Sequence, residues 1–319
     1  MSEDSRFRNA SLARAEAPPE LVVASPFPDE HTGAWAGDNG HAGVRVPGEN
    51  PLEKGTTMAS IAPSPALSDQ AFTELLALIR RADSVELKLT VPMSDRSRGA
   101  AALGVDPLDA QIRQVYFFDT PDLALNRSGL VVRARRVQKK GDDSVVKLRP
   151  VAPEELPPEV REASDFGVEV DVMPGGHVCS GSMKYALKKA DVREVVAGKK
   201  PLRKLFSKEQ RLLYEAYAPE GIALDDLSIL GPIFVLKLRL SPEGYDRKLV
   251  AELWLYPDNS MLLELSTKCT PDEAFQVGAE TKGFLLEHGI EVGSEQETKT
   301  KKALEYFSQR LQEESASAG

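Results

Sequence analysis

Cysteine is scarce in this chain: Cys179 and Cys269 stand alone, and their spacing matches no zinc motif. A disulfide framework is excluded, and the pair reads as reduced thiols of a cytoplasmic protein. Histidine is also sparse, with four scattered residues, so a histidine-rich metal site is not expected. Long apolar runs are missing. The longest, such as 233–236, fall far short of the ~18–20 residues a membrane helix needs. Positive charge is in deficit, with 40 lysines and arginines against 49 aspartates and glutamates, a net charge of −9. Such a surface lacks the positive footprint that nucleic acid demands, although a local basic pocket stays open. Neither a nucleic-acid nor a membrane partner is expected. No glycine-rich loop ending in Lys-Ser or Lys-Thr occurs, which disfavours a P-loop nucleotide site. No charged start leads into an apolar core of secretory type, so no signal peptide is expected.

Apolar residues make up 41% of the chain, enough for a sizeable core. They are unevenly spread. Residues 15–65 are rich in Pro, Gly, Ala and polar residues and show no sustained apolar period. Such a stretch cannot bury enough surface to offset the entropy of ordering, so 1–66 reads as a disordered tail. Met58 offers a second start near its end. Residues 67–312 form one domain on this reading, and 313–319 a short disordered tail.

The domain opens with a helix. Ser68 can cap it, and Phe72, Leu75, Leu76 and Ile79 share one face. Strict alternation then marks strands at 85–91, 131–137, 145–149, 166–172, 233–240, 249–256 and 261–267. Segments 113–119 and 205–215 are weaker strand candidates, for eight or nine strands in all. Helices are expected near 182–197, from a Thr270-Pro271-Asp272-Glu273 start to a stop at Gly289, and from 298 to 311. Segments 92–112 and 150–165 read as extra loops. The sum is an α+β domain: a closed antiparallel β-barrel of about eight strands with helices packed outside.

The polar faces of these strands carry paired charges. Period two places Ser84, Glu86 and Lys88 on one face, then Arg133 with Arg135, Lys147 with Arg149, Glu169 with Asp171, and Lys237 with Arg239. Glu252 and Glu264 follow on later strands. A solvated sheet face explains any one pair. The whole set is harder to explain that way, because like charges side by side repel unless opposite charge sits between strands. A barrel with these faces inward would set cations against carboxylates. That suits a polyphosphate, whose oxygens bind Arg and Lys while carboxylates hold a bridging Mg²⁺ or Mn²⁺.

At this point the sequence resembles a known family. Ser84-Val85-Glu86-Leu87-Lys88 is similar to the Glu-x-Glu-x-Lys signature strand of the CYTH superfamily, the triphosphate tunnel metalloenzymes. The turn from Tyr116 through Asp119-Thr120-Pro121-Asp122, leading into Arg133-Ala134-Arg135, resembles that family's most specific segment. Lys147-Leu148-Arg149, Glu169-Val170-Asp171, Lys237-Leu238-Arg239, Leu263-Glu264-Leu265 and Thr298-Lys299 followed by Ala303-Leu304 resemble later parts of the pattern, in order, over roughly residues 83–305. The resemblance implies binding and hydrolysis of an inorganic or organic triphosphate or polyphosphate. Lys88, Arg133, Arg135, Lys147, Arg149, Lys237, Arg239 and Lys299 would hold the phosphates, with Lys88 and Arg135 as the catalytic cations. Glu86, Glu169, Asp171 and Glu264 would hold Mg²⁺ or Mn²⁺. A monomer or a homodimer is expected.

Two departures matter. Ser84 stands where the signature has its first glutamate. Asp83 is adjacent but out of register, so it points to the opposite face. Lys208 with Arg211, followed by Asp225 and Asp226, offers a second candidate for the later basic strand and acidic turn, in competition with Lys237 and Arg239. Class IV adenylyl cyclases share the family's fold, so a cyclase stays open beside the hydrolase. Ser84 keeps a non-catalytic polyphosphate or nucleotide sensor open as well.

Overall fold

The computed structural model describes residues 69–92, 96–290 and 299–317. Expectations for the 1–66 tail, Met58, the Ser68 cap and Thr298 fall outside the described residues.

Nine strands close into one barrel: β1 Ser84–Val91, β2 Gln111–Asp119, β3 Leu130–Val137, β4 Asp143–Leu148, β5 Phe166–Met173, β6 Gly176–Ala186, β7 Ser228–Leu240, β8 Leu249–Leu255 and β9 Met261–Cys269. The circular order is β1-β5-β6-β4-β3-β2-β7-β8-β9. The expected barrel is therefore present, with one more strand than the expected eight and one exception to antiparallel pairing. β1 and β5 run parallel, with Ser84 opposite Glu169 and Glu86 opposite Asp171. The chain between them crosses three other strands, so this closure is non-local and leaves no trace in the alternation of either strand.

Helices pack outside, and the last of them also reaches residues that face the lumen. The helices are α1 Asp69–Arg81, α2 Arg96–Ala102, α3 Ala124–Arg127, α4 Pro158–Arg161, α5 Asp191–Val196, α6 Lys208–Tyr217, α7 Ala274–Glu287 and α8 Lys299–Ser317. Segments expected as plain loops thus carry the short α2 and α4. α8 continues to Ser317, past the end expected at 311. α7 follows a turn of 3₁₀ helix begun at Thr270, and Gly289 leaves it with a φ of 63°.

Two expectations are corrected. Residues 205–215 are not a strand, because Ser207 and Gln210 form a capping box that starts α6. The buried Gln210 amide also bonds the Ser144 hydroxyl and the Ser144 and Met183 carbonyls, which fixes α6 on β4 and β6. Residues 182–197 are not one helix. β6 runs to Ala186, and only Asp191–Val196 is helical. The β6 sequence hides its strand because it is rich in Gly and Ser. Gly181 is forced by packing: a Cβ there would meet Phe166 Cζ at 2.4 Å.

The outward faces of β1–β6 build one core with α1, α5 and α6, around Phe118, Val132, Val146, Val170 and Leu213. A second core joins Leu238, Leu249 and Leu265 to Phe284 and Leu285 of α7. The third lies inside the barrel. There the inward residues Val115, Phe117, Leu230, Ile233, Val235, Trp254 and Leu262 meet Ala303, Leu304 and Phe307 of α8. This apolar floor occupies one zone of the lumen and leaves the charged residues the other.

Candidate functional site

Strand register decides which side chains face inward. Glu86 and Lys88 of β1 share that face with Glu169 and Asp171 of β5, and with Glu264 and Lys268 of β9. Arg133 and Arg135 of β3 lie on it opposite Phe117 and Val115 of β2, and opposite Val145 and Asp143 of β4. Lys147 follows on β4, opposite Ser182 of β6. Lys237 and Arg239 of β7 face Glu252 and Val250 of β8. The alternating pattern thus places all the expected strand residues in one lumen. Arg239 is exposed, near the end of β7.

Glu86, Glu169 and Asp171 converge, each offering an oxygen within 4.8 Å of the others. The Asp171 side chain is 0% exposed, and Lys88 Nζ lies 2.6 Å from its Oδ1 and 3.2 Å from Glu86 Oε2. Arg149 donates to Asp171 Oδ2 at 3.1 Å. Burial alone would raise the Asp171 and Glu86 carboxyls, but Lys88 together with Lys147 and Arg149 around Asp171, and with Lys299 and the Ser266 hydroxyl around Glu86, holds both below the usual range. Glu169 is engaged by Lys268. The fourth expected metal ligand, Glu264, lies apart from this trio. It pairs with Lys299 at 2.5 Å, and Lys299 also reaches Glu252 at 2.8 Å. Burial would lower the Lys299 ammonium, yet Glu264 and Glu252 push it well above the normal lysine range.

Asp83 is engaged elsewhere, as its register requires. Arg161 grips its carboxylate and the Val168 N–H donates to it. It does not supply a carboxylate beside Ser84 on the inward face. The competing basic segment is also settled. Lys208 and Arg211 lie on α6, where Arg211 donates to the Phe206 carbonyl, and Asp225 pairs with Arg203. Lys237 and Arg239 form the later basic strand of the barrel.

Four participants escaped the sequence reading as site residues. Glu252 binds Lys237 at 2.8 Å and shares Lys299. Asp143 forms a two-point pair with Arg135, at 2.8 and 3.0 Å. Arg113 is buried on the inward face of β2 and donates to Gln111 Oε1. Lys268 sits near the end of β9. Extending the period of two by one or two residues at each strand end would have found Asp143 and Lys268.

Arg133 and Lys147 stand out. No carboxylate lies within salt-bridge range of either among the described residues. Burial lowers the Arg133 guanidinium to about 10 and the Lys147 ammonium to about 7. Both are desolvated cations whose nearest carboxylates, Asp171 for Lys147 and Asp143 for Arg133, offset the burial only in part, which a fold retains only at some cost. One further group is incomplete: the hydroxyl of Ser180 on β6 is fully buried and has no hydrogen-bond partner among the described residues. It stands directly opposite Glu169. Three clustered carboxylate oxygens beside an unpaired hydroxyl are an all-oxygen donor set, which fits a hard cation such as Mg²⁺ or Mn²⁺.

The barrel overlaps that of a candidate adenylyl cyclase from Hippeastrum, described as having a dominant triphosphatase activity. The TM-score is 0.51 at 19% identity, over 68% of this chain and 92% of that one. The two chains share this barrel fold. A candidate adenylate cyclase from Bacillus halodurans also matches, with a TM-score of 0.49 at 14% identity, over 69% of this chain and 97% of that one. No family model matches the sequence, and no curated protein does. No helix among the described residues is long and apolar enough to cross a membrane.

Proposed function

We propose that this barrel binds a triphosphate together with a divalent cation and hydrolyses its terminal phosphoanhydride. The observation that carries this reading is the pair of half-buried cations without an ion-pair partner among the described residues, Arg133 and Lys147, on the same inward face as the Glu86, Glu169 and Asp171 trio. A polyanion would supply what Arg133 and Lys147 lack. Arg135, Arg149, Lys237 and Lys299 already hold carboxylates, and phosphate oxygens can share those donors.

Glu86, Glu169 and Asp171 would hold Mg²⁺ or Mn²⁺, which would polarise a water and offset charge on the phosphates. Lys88, fixed between Glu86 and Asp171, is the cation best placed to stabilise charge developing at the reacting phosphorus. Arg135 is fixed by Asp143 and presents its remaining donors to the chain of phosphates. Glu252 and Glu264 orient Lys299 at the edge of the apolar floor.

The Hippeastrum protein is a candidate cyclase with a dominant triphosphatase activity, so product analysis decides between the two here. ATP incubated with Mg²⁺ or Mn²⁺ is expected to give ADP and phosphate. Tripolyphosphate is expected to be as good a substrate or better, because the inward residues grip phosphates and the floor is aliphatic and aromatic packing around α8. Cyclic AMP and pyrophosphate as main products would overturn hydrolysis. Tight binding of tripolyphosphate without turnover would favour a sensor and point to Ser84.

Arg133→Ala tests the basic wall. Losing one desolvated, charge-assisted contact costs about 1.5–3 kcal/mol, or ten- to more than a hundredfold in tripolyphosphate affinity by calorimetry. The melting temperature of the free protein is expected to hold or rise, since the substitution also relieves Arg135 of a like charge. Unchanged affinity would make this wall an ordinary charged face.

A further inference from the structure

Lys268 lies directly opposite Glu86 on β1, yet its ammonium contacts Glu169 on β5. β1 runs between these strands, and the β1 residue in register with Glu169 is Ser84. The lysine arm therefore passes over β1 beside Ser84.

The Lys268 side chain is 53% exposed, whereas that of Lys88 is 13% exposed and held by two carboxylates. Lys88 is fixed, and Lys268 is a tethered arm that can swing into solvent. Glu169 is held by Lys268 while one of its oxygens stays within 4.8 Å of the Glu86 and Asp171 oxygens. The Ser180 hydroxyl directly across from it is buried and has no hydrogen-bond partner among the described residues.

We propose that Lys268 is a resident counter-ion that competes with the divalent cation for Glu169, and so sets how tightly the barrel holds its metal. This rests on the metal-dependent reading above. In the free protein Lys88, Arg149 and Lys268 balance the three carboxylates. Cation entry needs Glu169 released, and Lys268 is the partner that can leave. The exchange makes metal affinity weaker than the carboxylate trio alone would give. The fold also places the lysine at 268 beside the small residue at 84, in register with the same Glu169.

The test reads metal binding directly. Free Mn²⁺ is titrated by electron paramagnetic resonance against the full chain, without nucleotide, for the natural protein, Lys268→Met and Lys268→Arg. Methionine keeps the stem and removes the charge; arginine keeps the charge. Lys268→Met is expected to bind Mn²⁺ at least about tenfold more tightly, the size of a charge-assisted contact released. Lys268→Arg is expected to stay near the natural protein. If the natural protein binds Mn²⁺ and Lys268→Met binds it equally or more weakly, the counter-ion role is wrong and the metal reading stands. If neither binds Mn²⁺, the metal reading falls and this inference falls with it. Because the side chain is half exposed, the methionine variant should fold, and its melting curve checks that.

Discussion

Glu169→Gln combined with Asp171→Asn is expected to abolish phosphate release from tripolyphosphate, with a fall on the order of a thousandfold or more. The two carboxylates do separate work in the free protein. Asp171 is fully buried and compensates Lys88 and Arg149, at 2.6 and 3.1 Å. Making it neutral leaves two buried cations with less anion than they have now. Breaking such a pair costs about 3–5 kcal/mol, so the free variant is expected to melt at a lower temperature. Tripolyphosphate should reverse part of that loss, because its oxygens can take the place of the missing carboxylate. Affinity for metal-free tripolyphosphate is therefore expected to hold or increase while turnover disappears. Calorimetry in EDTA and phosphate release in saturating Mg²⁺ or Mn²⁺ separate the two effects. Turnover above about a tenth of the natural rate would mean that these carboxylates hold no catalytic cation.

The division between legible and hidden elements has a physical cause. β1, β3, β4, β5 and β7–β9 alternate because one face of each packs on helices or neighbouring core while the other points into a charged lumen. Val85, Leu87 and Val91 against Glu86 and Lys88 are the plainest case. β2 breaks the rule. From Val115 to Asp119 it is buried on both faces, since its inward residues belong to the floor under α8. β6 breaks it in another way, with Gly181 demanded by the Phe166 ring rather than by any pattern. β7 starts at Ser228, not at 233, because a bulge at Gly231-Pro232 interrupts the pairing with β2.

The charged site was legible to the same extent and for the same reason. Its cations and carboxylates sit at inward positions of alternating strands, so period two collects them. What period two cannot supply is pairing across the barrel. It cannot tell that Glu264 serves Lys299 while Glu86, Glu169 and Asp171 cluster, because those relations depend on the parallel closure of β1 on β5. Lys268 was hidden on both counts: it lies beyond the alternating run of β9, and its partner is two strands away in the barrel.

The pH dependence of binding tests the basic wall most sharply, through Lys147. Burial lowers its ammonium to about 7, and the nearby Asp171 offsets this only in part, against Lys88 and Arg149. The unfolded chain would carry a lysine titrating near its ordinary value of about 10.4. Between those values the unfolded state binds more protons, so this group makes the free protein more stable as pH rises from about 7 toward 10. A bound triphosphate reverses the preference, because it favours the charged lysine. Above pH 7 binding must then draw a proton from solution, and affinity loses up to about tenfold per pH unit from this group. Tripolyphosphate itself titrates in part of that range, so the comparison is with Lys147→Arg, whose guanidinium stays charged throughout. Calorimetry at pH 8.5 in two buffers of different ionisation heat is expected to show nearly one more proton taken up by the natural protein than by the arginine variant. At pH 6 the two should differ little. Equal proton uptake at pH 8.5 would mean that Lys147 is already charged in the free barrel, and that a carboxylate or another anion reaches it in solution.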